Sequence, residues 1–300
     1  MASLYTQIDK NKQNTVLIIA LFICIIAAIG WFVGEFYFEG SGVFFIGMAL
    51  IISGITSFIS YYNSDKMVLA ISRAKEVTPT DNPYLHNLVE NIGIASGLPK
   101  PKIYIIDDTA MNAFATGRDP NHAVICFTSG IVQLLDKREL EGVIAHEMSH
   151  IGNYDIRFTT IVSILVGSIT LIADFFTRGM FYGSGGRRSR SGSGGGILML
   201  IGIVLIILSP IIATLIRLAL SRQREYLADA TAAMITRYPK GLADALVKLS
   251  MDSEILEAAN GATAHLYISN PLKGDHGGWI AQMFSTHPPV QERIKRLLER

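Results

Sequence analysis

Residues Val143–Asp155 read VIAHEMSHIGNYD, and the step between the two histidines decides what structure must carry them. Leu140, Val143, Ile144 and Met148 recur mostly at three- and four-residue steps, the apolar rhythm of a helix. Residues four apart share one helix face, so His146 and His150 can present two imidazoles to a single metal ion. Glu147 stands beside the pair, where a carboxylate can take a proton from an attacking water. The lead-in LLDKRELE is charged, so this helix begins outside lipid, unlike an HExxH pattern buried within a membrane span.

Much of the remaining chain is built for lipid. Half of its 300 residues are hydrophobic, 17% are charged, and the net charge is +1, which points to a membrane protein and away from an electrostatic nucleic-acid binder. Crossing a hydrocarbon core takes about 20 apolar residues. Thr15–Gly34, Gly42–Tyr62, Phe158–Phe176 and Gly196–Ile216 meet that length. The first run follows Lys10 and Lys12 but is too long for a usual secretory signal, and a second span follows at once, so it reads as a retained helix. Basic residues before the first span and after the second (Lys66, Arg73, Lys75) assign both flanks to the cytoplasm. The last two spans are joined by a Gly/Ser-rich loop holding Arg178, Arg187, Arg188 and Arg190. Either the charge rule is broken there or the pair forms a shallow hairpin. The stretch Gly183–Gly196 within that loop is also a candidate site of self-cleavage. Cys24 and Cys126 form neither a disulfide framework nor a CxxC pair.

The water-soluble stretches mix strand and helix signals. PKIYIIDD (Pro101–Asp108) alternates as a strand, and Asn112–Leu135 reads as strand, turn, strand and helix. Ser221–Arg300 reads as helices with a loop near Asn270–Gly278. The expected fold is therefore α+β and mostly helical: four membrane helices with a zincin-like catalytic domain and a small β-sheet. The expected organisation is a membrane hairpin over 1–62, a first catalytic part over 63–157, a second hairpin over 158–220 and a second catalytic part over 221–300.

A catalytic zinc usually has three protein ligands and one open position. A glycine and a third histidine at the third and sixth places after His150 would complete one known pattern, but Asn153 and Ile156 stand there. The alternative is a glutamate on a second helix. SRQREYLADA (Ser221–Ala230) offers Glu225 as ligand, with Asp229 one turn later to accept the outer N–H of a ligand histidine. For these residues to meet, the chain between Ile151 and Arg224 must leave and return on the same side of the membrane. His86, His122, His265 and His276 lack ligand spacing and read as structural or solvated. Asp155 reads as a helix-end or packing residue, and Arg224 as a juxtamembrane charge.

Taken together, NAFATG (Asn112–Gly117), VIAHEMSHIGNYD, SRQREYLADA and FSTHPPVQERI (Phe284–Ile294) resemble the HtpX-type heat-shock membrane peptidases, which are related to the prenyl-protein-processing proteases. The resemblance implies one zinc ion per chain held by His146, His150 and Glu225, with Glu147 as general base. It implies that Asn112, Ala113, Phe114 and Ala115 form a strand bordering the cleft, pairing backbone-to-backbone with an extended substrate. It sets His287 near the developing oxyanion and Arg293 against Asp229 or Glu225, although the residues alone read as a loop histidine and a surface helix arginine. It further implies a stress-response endopeptidase of a bacterial-type cytoplasmic membrane, active on the cytoplasmic side. Its partners would be the lipid bilayer and unfolded or damaged membrane proteins, with no nucleic acid. A processing protease for modified C-termini and a zinc-stabilised, non-catalytic holdase are the competing readings.

Overall fold

The computed structural model describes residues 4–37, 40–165, 221–259, 263–271 and 288–299. Two long helices open the chain, α1 (Leu4–Tyr37) and α2 (Gly42–Ile71), and both are long and apolar enough to cross a membrane. They pack on each other through small residues: a Cβ added at Gly30 would lie 2.8 Å from the Ala49 Cβ and 2.9 Å from the Phe45 carbonyl oxygen. Much of their outer surface is apolar and exposed, including Val16, Leu17, Val43, Phe44 and Phe58, as expected of helices solvated by lipid. The second helix leaves helical geometry at Asn63 (φ −122°, ψ 19°) and then continues to Ile71. The expected boundary at Tyr62 is thus a kink rather than an end. The turns beyond it stay helical because Val68 and Leu69 are buried with Phe114 and Tyr267.

A four-stranded sheet follows, built from β1 (Lys75–Glu76), β2 (Lys102–Ile106), β3 (Ala113–Gly117) and β4 (Ala123–Thr128) in the order β1-β2-β4-β3. β2 and β4 are parallel, whereas β3 pairs antiparallel with β4, with Ala113 opposite Phe127 and Gly117 opposite Ala123. β3 is therefore an edge strand. A short helix, α3 (Pro83–Ser96), precedes β2; Asn82 caps it, and it ends at the left-handed Gly97 (φ 69°). The expected order of strand, turn, strand and helix over Asn112–Leu135 is present, with α4 (Ser129–Leu134) closing it. Burial pushes the thiol pKa of Cys126 up, in the middle of β4, as expected of an inert packing cysteine.

The histidine pair rides on α5 (Lys137–Gly152). Its start is fixed by a capping box: Asp136 accepts from the Arg138 and Glu139 N–H groups, while Glu139 Oε2 accepts from the Asp136 N–H at 2.7 Å. Leu140, Val143, Ile144, Met148 and Ile151 are all buried in the main core. That core also draws on α6 (Arg222–Thr236), α7 (Pro239–Met251) and α8 (Val290–Leu298), so the two soluble stretches of sequence form one packed body. The region expected to be helical up to a loop near Asn270–Gly278 leaves helical geometry earlier: residues 252–259 and 263–271 form turns and extended chain with a single 3-10 turn at Ala264–Leu266. Residues 155–165 are helical, which covers the start of the third expected span. The rest of that span, all of the fourth and the loop Gly183–Gly196 lie outside the described residues.

Gly142 shows how closely α5 is held. A Cβ there would sit 2.6 Å from the Leu242 backbone nitrogen and 2.8 Å from its Cα, so α7 could not remain where it is. Overpacking of this kind typically costs about 1–3 kcal/mol. Gly142→Ala is expected to lower the thermal midpoint of the detergent-solubilised chain. An unchanged melt would mean that α5 and α7 are not pressed together at this point.

Candidate metal centre

α5 and α6 together bring three ligand-type side chains to one place. One donor atom from each of His146, His150 and Glu225 lies within 4.8 Å of the others. The carboxylate of Glu225 straddles the pair, with Oε2 3.7 Å from His146 Nε2 and Oε1 3.5 Å from His150 Nε2. The two Nε2 atoms are 3.2 Å apart. The opposite ring nitrogens face carboxylates: His146 Nδ1 is 3.0 Å from Asp229 Oδ1, and His150 Nδ1 is 3.0 Å from Asp155 Oδ2. The first approach is ion-pair distance without good hydrogen-bond alignment, and the second is a hydrogen bond. A carboxylate facing Nδ1 favours the tautomer that carries its proton there. The two Nε2 atoms, 3.2 Å apart beside a third, anionic donor, can share one proton between them or turn together onto a metal cation. Two imidazoles, one carboxylate and a cleft on the open side fit a catalytic zinc rather than a closed, cysteine-rich structural one.

The anionic groups around the pair favour positive charge at this point. Burial pushes against charge on His150, but the carboxylates of Asp155, Glu225 and Glu147 outweigh it and bring its pKa up to about 9. Burial holds the His146 pKa below its ordinary value, with Asp229 opposing. Glu147 is not part of the ligand triangle. Burial raises its pKa to about 7 against the pull of His150, with Glu225 raising it further and the Ala115 N–H and Arg293 lowering it. A carboxyl poised near neutrality beside the ligands is suited to exchanging protons.

Arg293, on α8, is a buried partner of this cluster rather than the surface residue its own position suggests. It forks onto Asp229, Nε to Oδ2 at 2.9 Å and Nη2 to Oδ1 at 2.7 Å, and its Nη1 is 3.6 Å from Glu225 Oε2. Against burial, Arg293 above all draws the Asp229 pKa down, so Asp229 stays ionised next to His146. His287 lies outside the described residues, as does His276. His86 bonds the Val77 carbonyl oxygen and His122 pairs with Asp119. His265 is different: it is buried, approaches Ser163 Oγ at 3.1 Å, and lines the cleft with the histidine pair.

The strand expected to receive substrate is only partly open. Ile268 donates its N–H to the Ala113 carbonyl oxygen at 2.9 Å, and the Asn112 side chain bonds Ser269 at both its N–H and its carbonyl oxygen. Phe114 is fully buried against Tyr267, ring centroids 4.9 Å apart. Of the four expected substrate-contacting residues, Ala115 is the one that lines the cleft. Backbone direction alternates along a strand, so Ala115, two residues from Ala113, also turns its amide outward, toward Glu147.

Sequence reasoning missed three groups. Asp155 holds His150 as well as starting a helix. Arg224 is buried, its Nε 3.5 Å from Asp155 Oδ1, rather than a solvated juxtamembrane charge. Asn11, near the start of α1, donates to Asp155 Oδ1 at 2.7 Å. Only Asp155 gave a signal, as the polar end of the HIGNYD run.

A two-helix histidine and glutamate site on an edge-stranded sheet, beside helices apolar enough to span a bilayer, defines a membrane metalloprotease. The chain belongs to peptidase family M48, whose model matches residues 79–300. It is 45% identical over 298 residues to a protein named "Protease HtpX homolog" from Caldanaerobacter subterraneus subsp. tengcongensis, covering 98% of this chain and 97% of that one. The protein of the same name from Dictyoglomus thermophilum is 45% identical over 293 residues, covering 98% and 93%. That from Tropheryma whipplei (strain TW08/27) is 44% identical over 296 residues, covering 99% and 98%. Among solved structures, the crystal structure of S. mikatae Ste24p shares the fold with a TM-score of 0.53 at 21% identity, covering 97% of this chain and 66% of that one.

Proposed function

We propose that the chain is a zinc-dependent endopeptidase of a bacterial-type cytoplasmic membrane that cuts unfolded or damaged membrane proteins on the cytoplasmic side. His146, His150 and Glu225 would hold the zinc, whose Lewis acidity would polarise water and the scissile carbonyl. Glu147 takes the proton of the attacking water and returns it to the leaving amine. Ala115 aligns an extended peptide through its outward backbone groups, which read no side chain and so suit varied substrates. Arg293 and Asp229 hold His146 in position, and His287 serves as the donor to the oxyanion. The observation that carries the sidedness is the contact between Asn11 and Asp155. It ties the metal cluster to the end of α1 that Lys10 and Lys12 assign to the cytoplasm.

Membrane vesicles test this reading. Inside-out vesicles holding the chain are expected to cleave an added unfolded protein without detergent, to stop after chelation, and to recover with zinc. Right-side-out vesicles should cleave only after detergent is added. Cleavage by intact right-side-out vesicles would overturn the sidedness. Zinc binding without cleavage in either orientation would favour the holdase, or a protease restricted to modified C-termini. That second protease ranks lower, because the four apolar runs of the sequence leave little material for a large intramembrane chamber.

A further inference from the structure

We propose that the first membrane helix is part of the metal site, with Asn11 as a positioning residue that orients His150 through Asp155. The inference rests on the metallopeptidase reading above. Asn11 is 2% exposed although it sits between Lys10 and Lys12 in the polar first turns of α1. Its side-chain amide donates to the Asn153 carbonyl oxygen at 2.9 Å and to Asp155 Oδ1 at 2.7 Å. The other oxygen of Asp155 accepts from His150 Nδ1 at 3.0 Å. A short relay thus runs from a membrane helix to a metal ligand, spanning 144 residues of sequence between Asn11 and Asp155.

The turn between α5 and the next helix makes the relay possible. Tyr154 adopts a left-handed backbone (φ 60°), which few residues of its size do, and this swings Asp155 back beneath His150. α1 holds that turn a second time, with Lys12 Nζ 4.6 Å from the centre of the Tyr154 ring. If Asn11 is removed, the next contact of Asp155 Oδ1 is Arg224 Nε at 3.5 Å, too long for a good hydrogen bond. The freed carboxylate can rotate toward the guanidinium, and His150 then loses the partner that fixes its tautomer and ring plane. Partners of this kind, one bond removed from a metal ligand, typically change metal affinity by about 10–100-fold.

The test uses the full chain in detergent, with zinc affinity from chelator competition and the visible spectrum of the cobalt-substituted protein as readouts. Asn11→Ala and Asn11→Leu, the latter keeping the side-chain volume, are each expected to weaken zinc binding about 10-fold and to shift the cobalt bands. Thr15→Val removes a hydroxyl bonded to the Asn11 backbone carbonyl at 2.8 Å, without touching Asp155, and is expected to leave both readouts unchanged. In an Asp155→Ala background, Asn11→Leu should have no further effect, because both act through one path. Unaltered affinity and spectrum in both Asn11 variants, or losses that add to those of Asp155→Ala, would overturn the role. Failure of the unmutated chain to bind cobalt or zinc would instead overturn the metal reading itself.

Discussion

Glu147→Gln is expected to keep its zinc and lose its turnover. The substitution is nearly isosteric and removes no ligand, since the triangle of His146, His150 and Glu225 does not include it. What disappears is the proton acceptor. Its carboxyl is buried beside the histidine pair, close to the Ala115 amide that would align a peptide, and burial lifts its pKa to about 7. General-base assistance is typically worth about 10²–10⁴-fold in rate, so the variant should retain about 1% of activity or less. Zinc content by elemental analysis and cleavage of an unfolded protein by the same preparation check the two halves separately. Wild-type turnover in Glu147→Gln would remove Glu147 from the chemistry. Loss of metal together with turnover would make it a ligand or a structural support instead.

How far the sequence could be read depends on whether the signal is local. The α5 helix was legible because its apolar steps, its charged lead-in and its histidine spacing all lie within one stretch of chain. The strands were legible for the same reason, β2 through alternation and β3 and β4 through the turn at Pro120–His122 between them. Glu225 and Asp229 needed one more step, the requirement for a third ligand and its orienting partner.

Apart from Asp155, which reaches His150 five residues back, the misses are contacts between remote segments. Nothing in the run around Asn11 says that its amide will meet Asp155, and nothing in SRQRE says that Arg224 will be buried against Phe158, 5.0 Å from the ring centre. Periodicity reports which face of an element is apolar and says nothing of which polar group crosses from another element. The same limit hid the occupation of β3. The strand pattern of NAFATG is plain, but the Ile268 N–H that caps the Ala113 carbonyl comes from a turn 155 positions further on. Two hydrophobic elements can pair in many ways, whereas a buried amide and a buried carboxylate must find a partner, and only the fold specifies which.

Arg293→Ala is expected to be strongly destabilising. The guanidinium is 1% exposed and forks onto both oxygens of Asp229 at 2.9 and 2.7 Å, with Glu225 at 3.6 Å. Truncation strands one buried carboxylate and weakens the hold on a second, and breaking a buried pair from one side typically costs about 3–5 kcal/mol. Zinc affinity should fall as well, because Asp229 freed from the fork no longer has a fixed position against His146 Nδ1. Arg293→Lys is not a rescue, since one ammonium cannot make the two parallel bonds that hold the carboxylate flat. The informative comparison is Arg293→Leu with Asp229→Asn. Replacing both charges removes the stranded anion, so the double variant should melt above Arg293→Leu alone while still binding zinc poorly. Thermal melts followed by circular dichroism and chelator competition separate the two effects. If Arg293→Leu melts with the unmutated chain, the buried fork contributes no stability. If the double variant instead binds zinc as well as the unmutated chain, Asp229 has no part in holding His146 to the metal.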